Sequence, residues 1–208
     1  MSRPEWYIAR VQTGEEDRVC RLITQACQVA DQLSHQAALA AAATDDLNPA
    51  TAGPTLRDCF SPIFRTQKKL RGQWITVERP LMPGYAILVT ASPARVRDCA
   101  RQVRGFYRIL RMEETYIPLT PEERSWLEHA TQDEGDKRVV PMSFGYLDGN
   151  RVVATSGPLV GHEGIIVKIK RSASLAFLEF HVGTKRIKTT IGLGIVPEDR
   201  AKQEAQAL

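Results

Sequence analysis

Residues 80 to 89 read PLMPGYAILV, and this run restricts the fold more than any other feature of the chain. Alternation sends Tyr85, Ile87 and Val89 to one side and Ala86, Leu88 and Thr90 to the other. A strand that is mostly apolar on both sides belongs inside a sheet, with each face covered. The Pro83–Gly84 pair ahead of it marks a tight entry turn. The flanking sequence must supply the rest of the sheet and its covering layers.

It does so in a readable order. WYIARV (6–11) is aromatic and β-branched, a first strand. After Gly14 comes a helix whose stripe is Val19, Leu22, Ile23, Ala26, Cys27 and Ala30, with acids at its positive end. An Ala-rich stretch, about 35–55, reads as a mobile insertion. CFSPIFRTQKKL and QWITVERPL form two strand-like runs joined through Arg71-Gly72, and the PLMPGYAILV strand follows. SPARVRDCARQV starts with Ser92 as cap and Pro93 at the first helical position, and carries Val96, Cys99, Ala100 and Val103 inward. FYRIL is a further strand. TPEERSWLEHA opens with a Thr120–Glu123 capping box and buries Trp126, Leu127 and Ala130. Together these predict an α+β domain over 1–132, one antiparallel sheet with flanking helices.

Residues 133–146 lack a clear period and read as a linker. From 147 to 198 the pattern becomes short, glycine-punctuated strands: RVVAT, GPLVGHEG, IIVKIKR, LAFLEFHV, IKTTIGL and GIV. Such spacing predicts a small β-barrel. Gly157, Pro158, Gly161 and Gly164, like Pro83 and Gly84, are read as structural turn residues. The tail 199–208 reads as frayed helix or disorder.

Charge is unevenly spread. The whole chain carries a net +4, yet Arg57 to Arg111 holds twelve Lys or Arg against three acids, leaving the remainder at −5. A concentration of one sign points to a polyanionic partner. Arg65, Lys68, Lys69, Arg71 and Arg79 sit on or between two strands that a hairpin brings together, and Arg104, Arg108 and Arg111 lie close to another strand. Lys168, Lys170, Arg171, Lys185, Arg186 and Lys188 decorate the barrel, where they either bind nucleic acid or line exposed strand faces.

Other chemistries find little footing. The four cysteines (20, 27, 59, 99) show no C-x-x-C spacing, which predicts small buried hydrophobes and no metal site. The four histidines stand in unrelated segments, and there is no H-E-x-x-H, Ser-His-Asp order or phosphate-binding Gly-Lys loop. Neither an enzyme nor a cofactor is expected. No apolar stretch is long enough to span a membrane, and MSRPEWYIAR has no signal-like core, so a cytoplasmic protein is expected.

Trp6-Tyr7, MPGYAILV and VRGFYRIL resemble the NGN domain of the NusG family of transcription elongation factors, while RVVATSGPLVGHEGIIVKI resembles its KOW domain. The resemblance spans nearly the whole chain and implies a ferredoxin-like NGN domain followed by an SH3-like KOW barrel. Met82 stands where the family usually has Phe. Within the family, YLDGNRVVATSGPLVGHEGIIVKIKR and the IGLGIV ending look most like the LoaP group of specialised antiterminators.

The resemblance implies a monomer that docks on the clamp helices of the polymerase β′ subunit through Trp6, Tyr7, Met82, Tyr85 and Phe106. Alternation turns one of Trp6 and Tyr7 toward the core. It also implies a nascent leader RNA hairpin as ligand of the basic faces, with non-template or upstream DNA as the alternative. Through KOW it implies Rho or a small-subunit ribosomal protein. Housekeeping NusG activity and a ribosome-associated KOW RNA-binding protein are the competing functions.

Overall fold

The computed structural model describes residues 3–42, 53–182 and 185–198. Residues 43–52 of the Ala-rich insertion and the tail 199–208 lie outside the described residues, whereas Thr55 at the insertion's end is buried and donates to the Asp31 carboxylate. In chain order the elements are β1 (Glu5–Val11), α1 (Glu16–Ala42), β2 (Asp58–Phe60), β3 (Ile63–Leu70), β4 (Gln73–Pro80), β5 (Tyr85–Thr90), α2 (Pro93–Ala100), β6 (Phe106–Ile109), β7 (Arg111–Met112) and β8 (Thr115–Tyr116). They continue with α3 (Pro121–Ala130), β9 (Gln132–Glu134), β10 (Lys137–Val140), β11 (Ser143–Asp148), β12 (Arg151–Ser156), β13 (Ile166–Lys170), β14 (Leu175–Val182) and β15 (Lys185–Ile195). The chain divides into two compact units, Met1–Phe60 with Pro83–Leu119, and Ser61–Met82 with Thr120–Leu208.

The first unit is a helix-plus-sheet layer. Its antiparallel sheet has the order β2-β5-β1-β6, which places the PLMPGYAILV strand inside, between β2 and β1. Tyr7, Ala9, Val11, Ala86 and Leu88 pack beneath Val19, Ile23 and Cys27 of α1 and Val96 and Ala100 of α2. Trp6, Ile8, Ile87 and Val89, also buried, occupy the opposite face. Removing a side chain such as Leu88 from this core costs about 2–5 kcal/mol in comparable sites.

The Pro83–Gly84 turn has a physical anchor. Gly84 adopts a left-handed φ of 80°, its carbonyl accepts from the Val11 amide at 2.9 Å, and its N–H donates to the buried Glu16 carboxylate at 2.7 Å. A Cβ there would stand 2.7 Å from the Thr13 hydroxyl. The turn thereby ties the start of α1 to the start of β5.

Burial also gathers the four cysteines. The Cys27 thiol meets Cys99, and the Cys59 thiol meets Cys20, although they are far apart in sequence. All four are free thiols. Burial first, then the Cys99 neighbour, pushes Cys27 up to about 12. Cys59 is held well above the usual thiol range by its hydrogen bond to Cys20 and by burial.

The second unit is β-rich. Its strands form one sheet ordered β4-β3-β10-β9 and a five-stranded one ordered β12-β11-β15-β14-β13. β15 crosses β3 so closely that a Cβ on Gly192 would lie 2.1 Å from the Arg65 carbonyl. The Thr66 hydroxyl donates to the Ser174 carbonyl at 2.9 Å, and Thr189 donates to Leu81. In α3 the Thr120–Glu123 capping box is complete, and Trp126, Leu127 and Ala130 are buried as the spacing predicts.

Several expectations change. The β3–β4 hairpin does not join the antiparallel sheet of the first unit: β3 pairs in parallel with β10, Ile63 opposite Val139. CFSPIFRTQKKL is broken at Ser61-Pro62, where the chain passes from one unit to the other; proline lacks the N–H that a continuous ladder needs. Residues 133–146 are not a bare linker, since β9, β10 and the start of β11 occupy them and Val139 and Val140 are fully buried. Those strands are too short, and too interrupted by acids, for an alternation to stand out.

Residues 35–42, expected in a mobile insertion, continue α1, which at 27 residues is about 40 Å long. GPLVGHEG is a turn followed by a 3-10 turn and not a strand, while IKTTIGL and GIV merge into β15. Ser92 makes no side-chain cap; its own N–H donates instead to the Thr90 hydroxyl at 2.9 Å. Gly157 has a structural reason, with φ at 84° and a Cβ that would strike Ser143 Cα at 2.6 Å. Gly161 also has positive φ, and Pro158 is half-buried beside these two glycines. Gly164 sits in the 3-10 turn with neither positive φ nor a close neighbour, so nothing in the fold requires glycine there.

Candidate nucleic-acid interface

The expected aromatic hollow is largely core. Trp6 is 6% exposed and meets Phe60 edge-on, ring centroids 5.4 Å apart; Tyr7 packs under α1, and Met82 is 1% exposed. Alternation sends Trp6 and Tyr7 to opposite faces, but both faces are covered, so neither reaches a partner surface. Burial and the nearby Glu5 raise the Tyr7 hydroxyl above its ordinary pKa. Phe106 is half-buried against the same helix-side core.

Tyr85 remains at a usable edge, and Phe106 borders an open cavity beside β6. Tyr85 is half-buried, in register with exposed Arg10, which is in turn opposite exposed Arg108, a row across β5, β1 and β6. The Arg10 guanidinium lies 5.6 Å from the Tyr85 ring centroid, and its Nη1 donates to the Tyr85 hydroxyl at 3.3 Å. Cation–π contacts at exposed sites contribute about 0.5–1 kcal/mol. Arg10 was not singled out by the sequence; its i, i+2 relation to Ile8 and Trp6 on β1 carries the signal.

The basic hairpin separates into two parts. At its root, Arg65 donates to Glu134 at 2.6 and 2.7 Å and to Glu78 at 3.0 and 3.2 Å, while Lys137 donates to Glu78 at 2.8 Å. These carboxylates, Glu134 first, raise the Arg65 pKa; Lys137 and then Arg65 lower that of Glu78. Arg65 is therefore a structural cation, not part of an open patch. The expected grouping of Arg65 with the others fails here.

At the tip, Lys68, Lys69 and Arg71 are exposed, as is Arg79 further back on β4. Lys69 stands opposite Trp74 and Lys68 opposite Ile75. Trp74 is 53% exposed, an unusual position for so large an aromatic ring. Arg71 and Gly72 both take positive φ, 49° and 86°, the geometry of a two-residue hairpin turn that favours Asn-Gly. A bulky cation held in that position is a strained choice, and it projects a charge from the apex. Trp74 was missed in the sequence because QWITVERPL reads as an ordinary half-buried strand.

A second basic surface surrounds the outer edge of β6. A cavity of about 420 Å³ opens there, walled by Arg97, Arg101, Tyr107, Arg108, Arg111 and Tyr116, with the expected site residue Phe106 and Ile109 forming its apolar part. Of the expected group, Arg108 and Arg111 line it, whereas Arg104 is exposed but outside it. Arg97 and Arg101 were missed; their i, i+4 spacing, from α2 to its C-cap and beside the apolar Val96–Ala100 stripe, was the available signal.

On the β-rich unit, Lys168, Lys170, Arg171, Arg186 and Lys188 are exposed, and Lys188 lies 4.0 Å from Glu179. The Lys185 side chain lies outside the described residues. Lys168 and Lys170 share one face of the edge strand β13.

No group of three metal-ligating side chains converges among the described residues, and none of their helices is long and apolar enough to cross a membrane.

A family model described as transcription termination factor NusG matches residues 4–128 of this chain. Among solved structures, one described as domain interaction in Thermotoga maritima NusG is similar, at 13% identity and a TM-score of 0.47, covering 91% of this chain and 94% of that one. No curated protein sequence is significantly similar to the chain.

Proposed function

The chain belongs to the NusG family of transcription factors, and from that premise we propose that it rides on elongating RNA polymerase and promotes processive antitermination, recruited by a hairpin in the nascent leader RNA. Family membership carries the elongation-factor role and polymerase binding in general. The finer reading rests on the hairpin tip, where Lys68, Lys69 and Arg71 flank an exposed Trp74. Cations supply sequence-independent affinity for phosphates, and an exposed indole offers a stacking surface for an unpaired base.

In this reading residues 1–132 act as the polymerase-binding module and 147–198 as the KOW module. Contact with the β′ clamp helices falls to the Tyr85–Arg10–Arg108 row, since Trp6, Tyr7 and Met82 are spent in the core. Binding that prefers the elongating conformation tenfold, about 1.4 kcal/mol, shifts the pausing equilibrium by the same factor without any covalent step. The resemblance of the KOW segment to the LoaP group favours operon-specific action; Rho or a small-subunit ribosomal protein remains the KOW partner to be tested.

The test is in vitro transcription across a terminator, with and without a candidate leader hairpin upstream. Readthrough should rise only on templates carrying the leader, and a K68A/K69A variant should lose the increase. Readthrough unchanged with every leader from the host's long operons defeats the recruitment reading. An increase independent of the leader makes the protein a general elongation factor. Co-purification with ribosomal subunits in place of polymerase establishes the ribosome-associated function instead.

A further inference from the structure

The cavity on the outer edge of β6 carries charge of one sign only. Four arginines and two tyrosines line it together with apolar Phe106 and Ile109, and no carboxylate does. Two of the cations are already engaged: Arg97 with Asp98 at 2.7 Å and with Tyr116 of the cavity wall, and Arg111 with Glu114 at 3.3 Å. Among the described residues, Arg101 and Arg108 meet no carboxylate within ion-pair distance.

Arg108 is placed against another cation. It pairs in register with Arg10 across β1 and β6, an arrangement that repels unless an anion intervenes. Arg10 lies against the neutral Tyr85 ring, so no carboxylate relieves the repulsion from its side. Tyr107, adjacent to Arg108, is 60% exposed, so its ring face is open to a ligand. A volume of about 420 Å³ falls in the range of small-molecule sites and is too small for a helix. It has room for a single flat ring with its phosphate.

We propose that this cavity takes one nucleotide of single-stranded RNA, its phosphate held by Arg101 and Arg108 and its base stacked on Tyr107. The inference rests on the RNA reading above and assigns that reading a second, separate site, distinct from the β3–β4 hairpin tip. Unpaired bases are the usual targets of RNA recognition because they can be splayed onto aromatic rings and guanidinium planes.

The test measures fluorescence anisotropy of labelled single-stranded U12 and A12 RNA with the full chain across a salt series. Wild type, R101A/R108A, Y107A, Y107F and K68A/K69A are compared, with thermal melts showing that each is folded. Loss of this phosphate contact should weaken binding about tenfold or more and flatten the salt dependence by about 0.7 log units per log salt. Y107A should weaken binding on the order of tenfold, while Y107F, which keeps the ring, should not.

If wild type binds RNA and K68A/K69A weakens it while R101A/R108A and Y107A do not, the cavity assignment is overturned and the RNA reading stands. If wild type binds neither RNA, the cavity assignment fails, while the leader-hairpin reading is decided separately by the readthrough assay. If R101A/R108A and Y107A both leave RNA binding intact, the cavity assignment is overturned whatever R101A/R108A does to polymerase binding, since Arg108 belongs to the polymerase-facing row in the reading above.

Discussion

The root and the tip of the β3–β4 hairpin carry the same kind of residue and use it in opposite ways. At the root, Arg65 is enclosed by Glu78 and Glu134, with Lys137 completing the network. At the tip, Lys68, Lys69 and Arg71 extend into solvent around Trp74, without a carboxylate opposite them in the register. In sequence the four cations lie within seven residues and look like one patch. The difference teaches that basic density alone does not define a binding surface; the acids brought in from β4 and β9 decide which charges remain available.

The comparison breaks most severely if the root is loosened. Gly192 of β15 leaves no space for a Cβ against the Arg65 carbonyl, at 2.1 Å. Gly192→Ala should destabilise the second unit by about 3 kcal/mol, because backbone must move to relieve the overlap. Chemical denaturation monitored by Trp fluorescence checks this, and a change under 1 kcal/mol means that β15 does not brace the hairpin.

The tip should behave in the opposite manner, with stability unchanged and affinity lost. K68A/K69A/R71A removes three exposed cations and should weaken RNA binding on the order of a hundredfold at low salt, with the loss shrinking as salt rises. Trp74→Ala should cost about tenfold, less dependent on salt because stacking is not a counterion effect. Anisotropy titrations at two ionic strengths separate the two. If Trp74→Ala instead lowers thermal stability while leaving RNA affinity alone, its ring is packing and not a platform.

Much of this was legible beforehand, for definite reasons. The interior position of Tyr85–Thr90 follows from apolar side chains on both alternating faces, and β5 is indeed flanked by β2 and β1. The capping box at Thr120 is local chemistry within four residues, which sequence displays directly. Partner choice is not local. That β3 pairs with β10 and packs on β15 depends on residues more than 70 positions away, and nothing in the period-2 pattern of β3 names them.

Site residues were misread by the same route. Trp6 and Tyr7 belong to a strand buried on both faces, so alternation could not leave either of them outside. Trp74 was not singled out because an aromatic residue in a strand is usually core, and only the projection of the hairpin tip exposes it. The cysteines show the converse: dispersed in sequence, they converge as two thiol contacts in one core.

The smallest effect is the sharpest probe of the root. The Glu78 carboxyl is held below its ordinary pKa of 4.5 by Lys137 and then by Arg65. A carboxylate whose folded pKa is depressed contributes stability above its unfolded pKa and loses it as pH falls through the folded value. Glu78→Gln should therefore be less stable than wild type at pH 7, and the gap should close below about pH 4. Its side chain is 34% exposed, so solvent screening keeps the effect under about 1 kcal/mol, and added salt should reduce it further. Urea melts at both pH values, paired with RNA titrations at pH 7, complete the comparison. Glu78→Gln should shift the melts without weakening RNA binding, because it disturbs the root's charge network and leaves the tip cations in place. A substantial gain in RNA affinity would instead mean that freed Arg65 had joined the tip, and that the root is a charge reserve held in check by Glu78.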